Sequence, residues 1–444
     1  MIAEAVPPRR ASLLLIALAY AGSATLQKGL GFVLFMWLAH ALSVQDYARF
    51  GLFFALQTGV AALAAAGISE SVVGMLNSHQ DALARRALFG SANVVFALLA
   101  LVSAALGAAV YGIWGGAIGA TALDVAMVTA AGVASAFFTL QSLLTRLNED
   151  HKASLHLSFV PALAGLLAGF VGFAAFHSVT SFFFGTVCGL AATMVYYQLS
   201  GAAFDGFVLS RPHYAGILSR IGPFILIVIL GWLSGYGNTY LVKALFAMSD
   251  VARFTFAFTL SSVMQLIASS LNQVWSPKFY KLVHEQGMPV VEAGNRRFYL
   301  LQGAVMGALG ALVLLLAPMA LDLAGAGMAA YTGLELELFL LFAAYAVAIP
   351  WWHVQNFYFA HSRGAELMYV VLATSAFGLL AWLGAMWLWG STGVYVGFAL
   401  MMLLRSAGAY LWARRLWPLR LMWEGPAIAL VLLGAATMVA MQLR

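Results

Sequence analysis

The chain has 444 residues, of which 63% are hydrophobic and 9% charged, where a soluble domain has roughly 45–50% apolar and about 25% charged residues. That excludes a soluble fold of this size, and no polar stretch is long enough to form a large soluble catalytic domain. The formal net charge of +6 comes from basic residues set singly and in pairs, which suits loops facing an anionic membrane surface and not a nucleic-acid footprint.

At about 20 residues per membrane-spanning helix, roughly 280 apolar residues suffice for about a dozen spans. Apolar runs bounded by charges, Gly or Pro predict thirteen, at 13–42, 47–74, 87–113, 122–147, 154–176, 181–203, 220–246, 252–275, 297–324, 332–360, 367–390, 392–413 and 425–442. These runs lack a two-residue alternation and exceed the length of a barrel strand, so an open sheet and a β-barrel are excluded. The expected fold is an all-α polytopic membrane protein of about 12–13 transmembrane helices. The first run follows Arg9 and Arg10 and ends in small residues at Ala21–Ala24, as a secretion signal would. Apolar character resumes at Leu30, and the alternation of basic loops needs this span, so it is read as a helix. Cys188 is the single cysteine, which excludes an internal disulfide and a cysteine-built metal centre.

A cytoplasmic N-terminus places Arg9, Arg10, Arg85, Arg86, Arg146, Lys152, Arg211, Arg220, Lys278, Lys281, Arg296, Arg297, Arg363, Arg414, Arg415 and Arg420 inside, as the positive-inside rule requires. Trp37 and Trp114 then fall near the outer interface, and Trp412, Trp417 and Trp423 near the inner one. Apart from the terminal Arg444, the remaining basic residues, Lys28, Arg49, Lys243, Arg253 and Arg405, lie within spans or at their outer ends.

The segment Leu38-Ala39-His40-Ala41-Leu42, followed by Asp46-Tyr47-Ala48-Arg49-Phe50, recurs as Leu241-Val242-Lys243-Ala244-Leu245 and Asp250-Val251-Ala252-Arg253-Phe254. The aspartates are 204 residues apart, and span one matches span seven. Repeats six helices apart insert in the same orientation, so two six-helix lobes related by a pseudo-two-fold axis along the membrane normal are expected, with a central cavity between them. The expected divisions are an N-terminal lobe at 1–203, a cytoplasmic linker at 204–219, a C-terminal lobe at 220–413, and an extra apolar helix and tail at 414–444.

The stretch from Gly31 to Glu70, with "LAHALSVQDYARFGLFFALQ" and "AAAGISESV", resembles the opening of the polysaccharide-transporter branch of the multidrug/oligosaccharidyl-lipid/polysaccharide (MOP) flippase superfamily, the Wzx-like flippases. "SRIGPFILIVILGWL" and "FAFTLSSVMQLIASSLNQVWSPKFYKL" resemble the start of that family's second half. The likeness covers about 30–75 and 218–285; elsewhere it is hydropathy alone. Ala48 and Ala252 stand where the family usually has Gly, and most members have twelve or fourteen spans. The run Pro426–Leu443 is therefore either an added thirteenth helix or an interfacial segment.

The resemblance implies a flippase of the bacterial cytoplasmic (inner) membrane, not an enzyme and without cofactor. Its substrate would be an undecaprenyl-pyrophosphate-linked oligosaccharide, and its partners membrane lipid, a polysaccharide polymerase and chain-length proteins, with no nucleic acid. It further implies a cationic cavity lined mainly by helices one, two, seven and eight, where Lys28 would fall.

A charge deep in a bilayer costs roughly 2.5–3.5 kcal/mol on insertion scales, so Lys28 is a functional candidate. It lies about 15 residues, or roughly 22 Å, into the first span, next to Gln27 and the flexible Gly29 and Gly31. Lys28 either contacts an anionic head group such as a pyrophosphate or pairs with a buried carboxylate such as Glu70. Lys243, Arg253 and Arg49 flank the outer turns of the repeat and serve either a gate or helix capping, by an Asp250–Arg253 pair in the second copy. Arg405 either lines the cavity or snorkels inward. Trp232, Tyr236, Asn238 and Tyr240 on span seven, with Gln265, Asn272 and Gln273 on span eight, offer aromatic faces and amides to a glycan. Trp351, Trp352, His353, Gln355 and Asn356 form a second polar-aromatic cluster, which packing and interfacial anchoring explain equally well. Glu70, Glu335 and Glu337 are the candidate coupling acids, with Glu70 preferred.

A cation-coupled multidrug exporter of the same superfamily is the alternative, but it would need a buried carboxylate where span one carries Lys28. A polysaccharide polymerase or acyltransferase would need a convergent polar constellation, whereas the histidines are scattered. The chain also lacks a G-x-x-x-x-G-K-[ST] phosphate loop.

Overall fold

A computed structural model describes Leu26 and residues 29–76, 81–148, 150–200, 206–361, 363–420 and 422–442, with the side chains of Ala82, Gln273 and Pro277 set aside. The described residues form helices and no strands. The N-terminal half comprises α1 (Gly29–Ala41), α2 (Val44–Ala64), α3 (Ile68–Leu76), α4 (Ala82–Ile118), α5 (Ala122–Leu147), α6 (His151–Phe176) and α7 (Val179–Leu199). The C-terminal half comprises α8 (Arg211–Leu233), α9 (Asn238–Leu245), α10 (Met248–Glu285), α11 (Met288–Ala324), a 3₁₀ turn (Gly325–Tyr331), α12 (Glu335–Val347), α13 (Ile349–Ala360), α14 (Gly364–Ala413) and α15 (Glu424–Gln442). Eleven helical segments are long and apolar enough to cross a membrane, and α1 is a shorter apolar helix.

Capping chemistry sets several of the helix starts. The Ser43 hydroxyl accepts from the Asp46 N–H at 3.1 Å at the head of α2. Thr121 and Asp124 form a reciprocal capping box at α5. The Ala247 N–H donates to Asp250 at 3.2 Å before α10.

The eleventh and twelfth spans form one continuous element, α14, which reverses at Gly390, where φ is 59°. Only a residue without Cβ adopts that conformation cheaply. Past the turn the two arms lie antiparallel, with the Trp382 indole donating to the Val394 carbonyl at 2.6 Å. This is the predicted break between 367–390 and 392–413.

Three predicted spans are broken. Span two bends at Ala65–Gly67, with Gly67 at φ 68°, to give α2 and α3. Span seven stops at Leu233 and resumes at Asn238, and span ten divides before Pro350. Span seven also begins earlier than expected, at Arg211. Pro212 suits a first helical turn, so Arg220 lies inside the helix and does not mark its boundary. The preceding linker segment packs on α4, where the Ser91 hydroxyl donates to the Val208 carbonyl at 2.9 Å.

The repeat is visible in the packing. Gly51 and Thr255 are equivalent under the 204-residue offset, and they touch. A Cβ on Gly51 would lie 2.6 Å from Thr255 Cγ2. Contact between equivalent residues is what a two-fold axis produces. Phe50 stacks on Phe54 with centroids 6.1 Å apart, and their counterparts Phe254 and Phe258 stack at 5.5 Å. The largest apolar cluster draws residues from both halves around this axis.

The last helix packs along α11 and is long and apolar enough to cross a membrane. α15 runs parallel to α11, with Gly303 against Gly425, Gly307 against Ala429 and Gly310 against Leu433. A Cβ on Gly303 would lie 2.7 Å from the Gly425 Cα and closer still to its carbonyl. Small residues at such crossings let backbones approach in a membrane. Gly303→Leu should therefore cost about 1–3 kcal/mol by overpacking, read as a lowered Tm of the detergent-purified protein. Gly384→Leu, at a position with nothing within 4 Å of a Cβ, should leave Tm in place.

Candidate substrate cavity

A cavity of about 850 Å³ lies between the N-terminal half and α10. Aromatic rings close one end. Tyr236 packs edge-on against Phe54 at 5.3 Å and against the equivalent Phe258 at 5.8 Å, with Phe35 edge-on to Phe54 at 4.9 Å. From this floor the cavity extends along α5 and α6 to Arg146, an exposed residue in the last turn of α5.

The walls are polar in a regular way. Ser135, Thr139, Ser142 and Arg146 recur every three or four residues on α5, which places them on one helical face. Gln57 on α2, Ser158 on α6, Thr186 on α7, and Thr259, Ser262 and Gln265 on α10 add hydroxyls and amides. Among the described lining residues Arg146 is the one charged side chain. Such a surface presents a guanidinium fork for an oxyanion and many donors and acceptors for hydroxyl groups.

The expected lining helices one, two, seven and eight are represented by Gly29, Gly31, Phe54, Gln57, Tyr236, Thr259 and Gln265. Helices four, five and six line the cavity as well, because the space is displaced into the N-terminal half. Gln27 and Lys28 lie outside the described residues, as does the Gln273 side chain. Tyr236 and Gln265 are the predicted glycan contacts that the fold brings to this surface.

The other predicted residues sit elsewhere. The Trp232 indole donates to the Ala55 carbonyl at 2.8 Å and its ring lies against Gly59, while the Tyr240 hydroxyl donates to the Leu52 carbonyl at 3.0 Å. Both tie span seven to the backbone of α2. Asn238 is fully buried, with neither side-chain atom hydrogen-bonded among the described residues. Asn272 accepts from Asn356 at 2.8 Å inside the C-terminal half.

None of the basic candidates outside the first span lines the cavity. Arg49 donates to the Ile118 carbonyl at 2.9 Å and pairs with Asp46 at 3.3 Å, closing the end of α4. Arg253 performs the equivalent task after α11, donating to the Ala330 and Thr332 carbonyls at 2.9 and 3.3 Å. Its acidic partner is Glu337 at 3.7 Å and not the expected Asp250, which caps Ala247 instead. The D-x-A-R-F motif thus serves helix ends, the structural alternative the sequence leaves open. Lys243 is half-buried in the last turn of α9. The Arg405 guanidinium lies over the Trp351 ring at 4.6 Å. Glu70 is exposed in the first turn of α3 and accepts from the Ser69 hydroxyl at 2.6 Å.

Arg146 is the lining residue that sequence reasoning passed over, because a basic residue at a span end satisfies the positive-inside rule without further role. The signal was present as the face Ser135-Thr139-Ser142-Arg146.

No family model and no curated protein matches the sequence. Solved structures do match. An inward-facing multidrug resistance MATE family transporter of the MOP superfamily superposes at TM-score 0.62, with 15% identity over 90% of this chain and 94% of that one. A Vibrio cholerae MATE transporter gives 0.57 and 15% over 90% and 94%. A MOP superfamily transporter from Pyrococcus furiosus, described by a reversed polarity of its binding pocket, gives 0.53 and 12% over 90% and 93%. The chain thus shares the fold of MATE and MOP superfamily transporters.

Proposed function

We propose that this protein is a flippase that carries an undecaprenyl-pyrophosphate-linked oligosaccharide from the cytoplasmic to the outer leaflet of the bacterial inner membrane. The observation that supports this reading is the cavity lining, a single described charge, Arg146, beside hydroxyls and amides on five helices. The volume of about 850 Å³ falls within the range of ligand sites. The pyrophosphate is held by Arg146 and Lys28, sugar hydroxyls by the Ser, Thr and Gln side chains, and sugar faces by Tyr236. The lipid tail stays in the bilayer.

With the N-terminus cytoplasmic, the Arg146 end faces the cytoplasm and the contact of Gly51 with Thr255 lies beyond the aromatic floor, so this is the inward-facing state. The lobes, 1–203 and 220–413, then rock about the axis between α2 and α10 in alternating access. Polymerase and chain-length proteins are the expected partners on the outer side.

A multidrug exporter is the second reading, favoured by the multidrug transporters among the structural neighbours. Cationic drugs require a carboxylate, whereas the described lining offers a guanidinium.

The test is complementation of a flippase-deficient bacterial strain. The native chain should restore surface polysaccharide, Lys28→Ala should lose it at matched membrane levels, and Lys28→Arg should keep part of it. Failure of the native chain to rescue would sink this substrate and return weight to drug export.

A further inference from the structure

The lining of the cavity changes in character along its length. Its α5 residues run from Ser135 to Arg146, eleven positions apart, which at 1.5 Å per residue is about 16 Å. The guanidinium stands at one end of that line and the aromatic floor lies beyond the other. Phe182 belongs to the floor as well, because it lines the cavity and meets edge-on, at 5.4 Å, the Phe50 ring that stacks on Phe54.

Most hydroxyls of the wall already have a use for their hydrogen. Ser142 donates to the Ser154 carbonyl at 2.8 Å, Thr139 to Ser135 at 3.0 Å, Thr259 to Thr255 at 2.8 Å and Ser262 to Thr259 at 2.6 Å. The Gln57 and Gln265 amides and the Tyr236 hydroxyl differ, since they line the cavity and make no hydrogen bond to another described residue. Gln57 lies three residues past Phe54 on α2, and Gln265 seven past Phe258 on α10, so each shares a helical face with a ring that packs on Tyr236. An amide offers two donors and an acceptor, which matches adjacent sugar hydroxyls.

Charge is confined to the opposite end. Among the described lining residues none at the floor is ionisable to a cation. Arg49 and Arg253, further outward, are committed to the Ile118 and Ala330 carbonyls. A carboxylate pressed against the floor would give up water with no cation to replace it, the costly case of an unpaired buried charge. A neutral sugar gives up only hydroxyl hydrogen bonds, which the amides and Tyr236 restore, and it sets its apolar face on the rings.

We propose that Tyr236, Phe54 and Gln57, with Gln265 a step nearer the mouth, form a selectivity subsite for an uncharged terminal sugar. The glycan enters far end first, with its last sugar on the floor and its diphosphate at Arg146. Glycans that end in a uronate or a phosphorylated sugar are rejected. The proposal rests on the flippase reading above for its substrate class, but binding of a neutral sugar at the floor stands on the lining alone.

Two measurements separate these. In proteoliposomes, two undecaprenyl-pyrophosphate-linked disaccharides are compared that differ only in the terminal sugar, glucose or glucuronate. The glucosyl compound should move about tenfold faster or more. Gln57→Lys should narrow or reverse that preference by supplying a cation, and Gln57→Leu should slow the glucosyl compound. Gln265→Lys gives the same comparison should Gln57→Lys fold poorly. Equal or reversed rates in the native chain, or a preference unchanged by the lysine, overturns the subsite.

Binding is followed separately in purified protein, by saturation-transfer NMR with the neutral disaccharide cellobiose. Transfer from the protein should be seen with the native chain and lost in Tyr236→Ala and in Gln57→Leu. No transfer in the native chain, or transfer that persists in both variants, overturns the subsite. Absence of translocation of both lipid-linked compounds by the native chain counts against the flippase reading, while the NMR result still decides the sugar site.

Discussion

Replacing Arg146 with glutamate is expected to abolish rescue of surface polysaccharide in a flippase-deficient strain, and Arg146→Lys to retain part of it. The residue lines the cavity at the end of α5, on the same face as Ser135, Thr139 and Ser142. A guanidinium can offer two parallel donors to one phosphate, whereas an ammonium acts as a point charge. Lysine therefore keeps the attraction and loses the fork, and glutamate repels the diphosphate. Charge-assisted hydrogen bonds are worth about 1.5–3 kcal/mol each, so loss of one reduces head-group affinity by roughly tenfold or more. Binding of the purified protein to vesicles containing undecaprenyl pyrophosphate should fall accordingly in Arg146→Ala. Unchanged binding in both Arg146→Ala and Arg146→Glu would remove this residue from the substrate site.

The second large effect is expected at the axis. Gly51→Val should arrest transport, because a Cβ there would lie 2.6 Å from Thr255 Cγ2 and the two halves would be wedged apart. Overpacking of this kind costs about 1–3 kcal/mol, enough to shift an equilibrium between two packings of the lobes by one to two powers of ten. Thr255→Gly should restore function to Gly51→Val, since it removes the atoms the new side chain would strike. A double-mutant cycle on rescue and on Tm gives the coupling, expected at about 0.5–3 kcal/mol for residues in contact. Additive effects would mean that α2 and α10 do not approach here during the cycle.

The symmetry was legible from a short motif. The paired D-x-A-R-F segments predicted a two-fold relation, and the contact of Gly51 with Thr255 meets it at equivalent positions. The turn at Gly390 was also readable, because two apolar runs met at a glycine with no charge between them. The roles of Arg49 and Arg253 were harder. An arginine in the first turn of a predicted span looks like a buried charge, but the carbonyls it satisfies, at Ile118 and Ala330, lie 69 and 77 residues further along the chain. Hydropathy also missed the break in span seven, since the Ser234-Gly235-Tyr236-Gly237 stretch between Leu233 and Asn238 is too short to interrupt the apolar run around it.

The cavity was the least legible part. Which face of α5 or α6 meets open space depends on how far each neighbour is set back, and a single sequence carries no such information. Deep charges drew attention to Lys28, whereas Arg146 was masked by the rule that explains most basic loops. His353 appeared only as part of an aromatic run, because its partners Asn295 and Gln302 lie on another helix.

The direction of α15 has a consequence for how such chains can grow. A unit of six crossings enters and leaves on one face, so a copy joined to its end inserts in the same sense, and the repeated motif records such an event. α15 is parallel to α11, so it runs in the opposite sense to the second arm of α14 that precedes it. A copy joined after α15 would then insert in the opposite sense to one joined after α14, so the added helix reverses the arrangement that the repeated motif records.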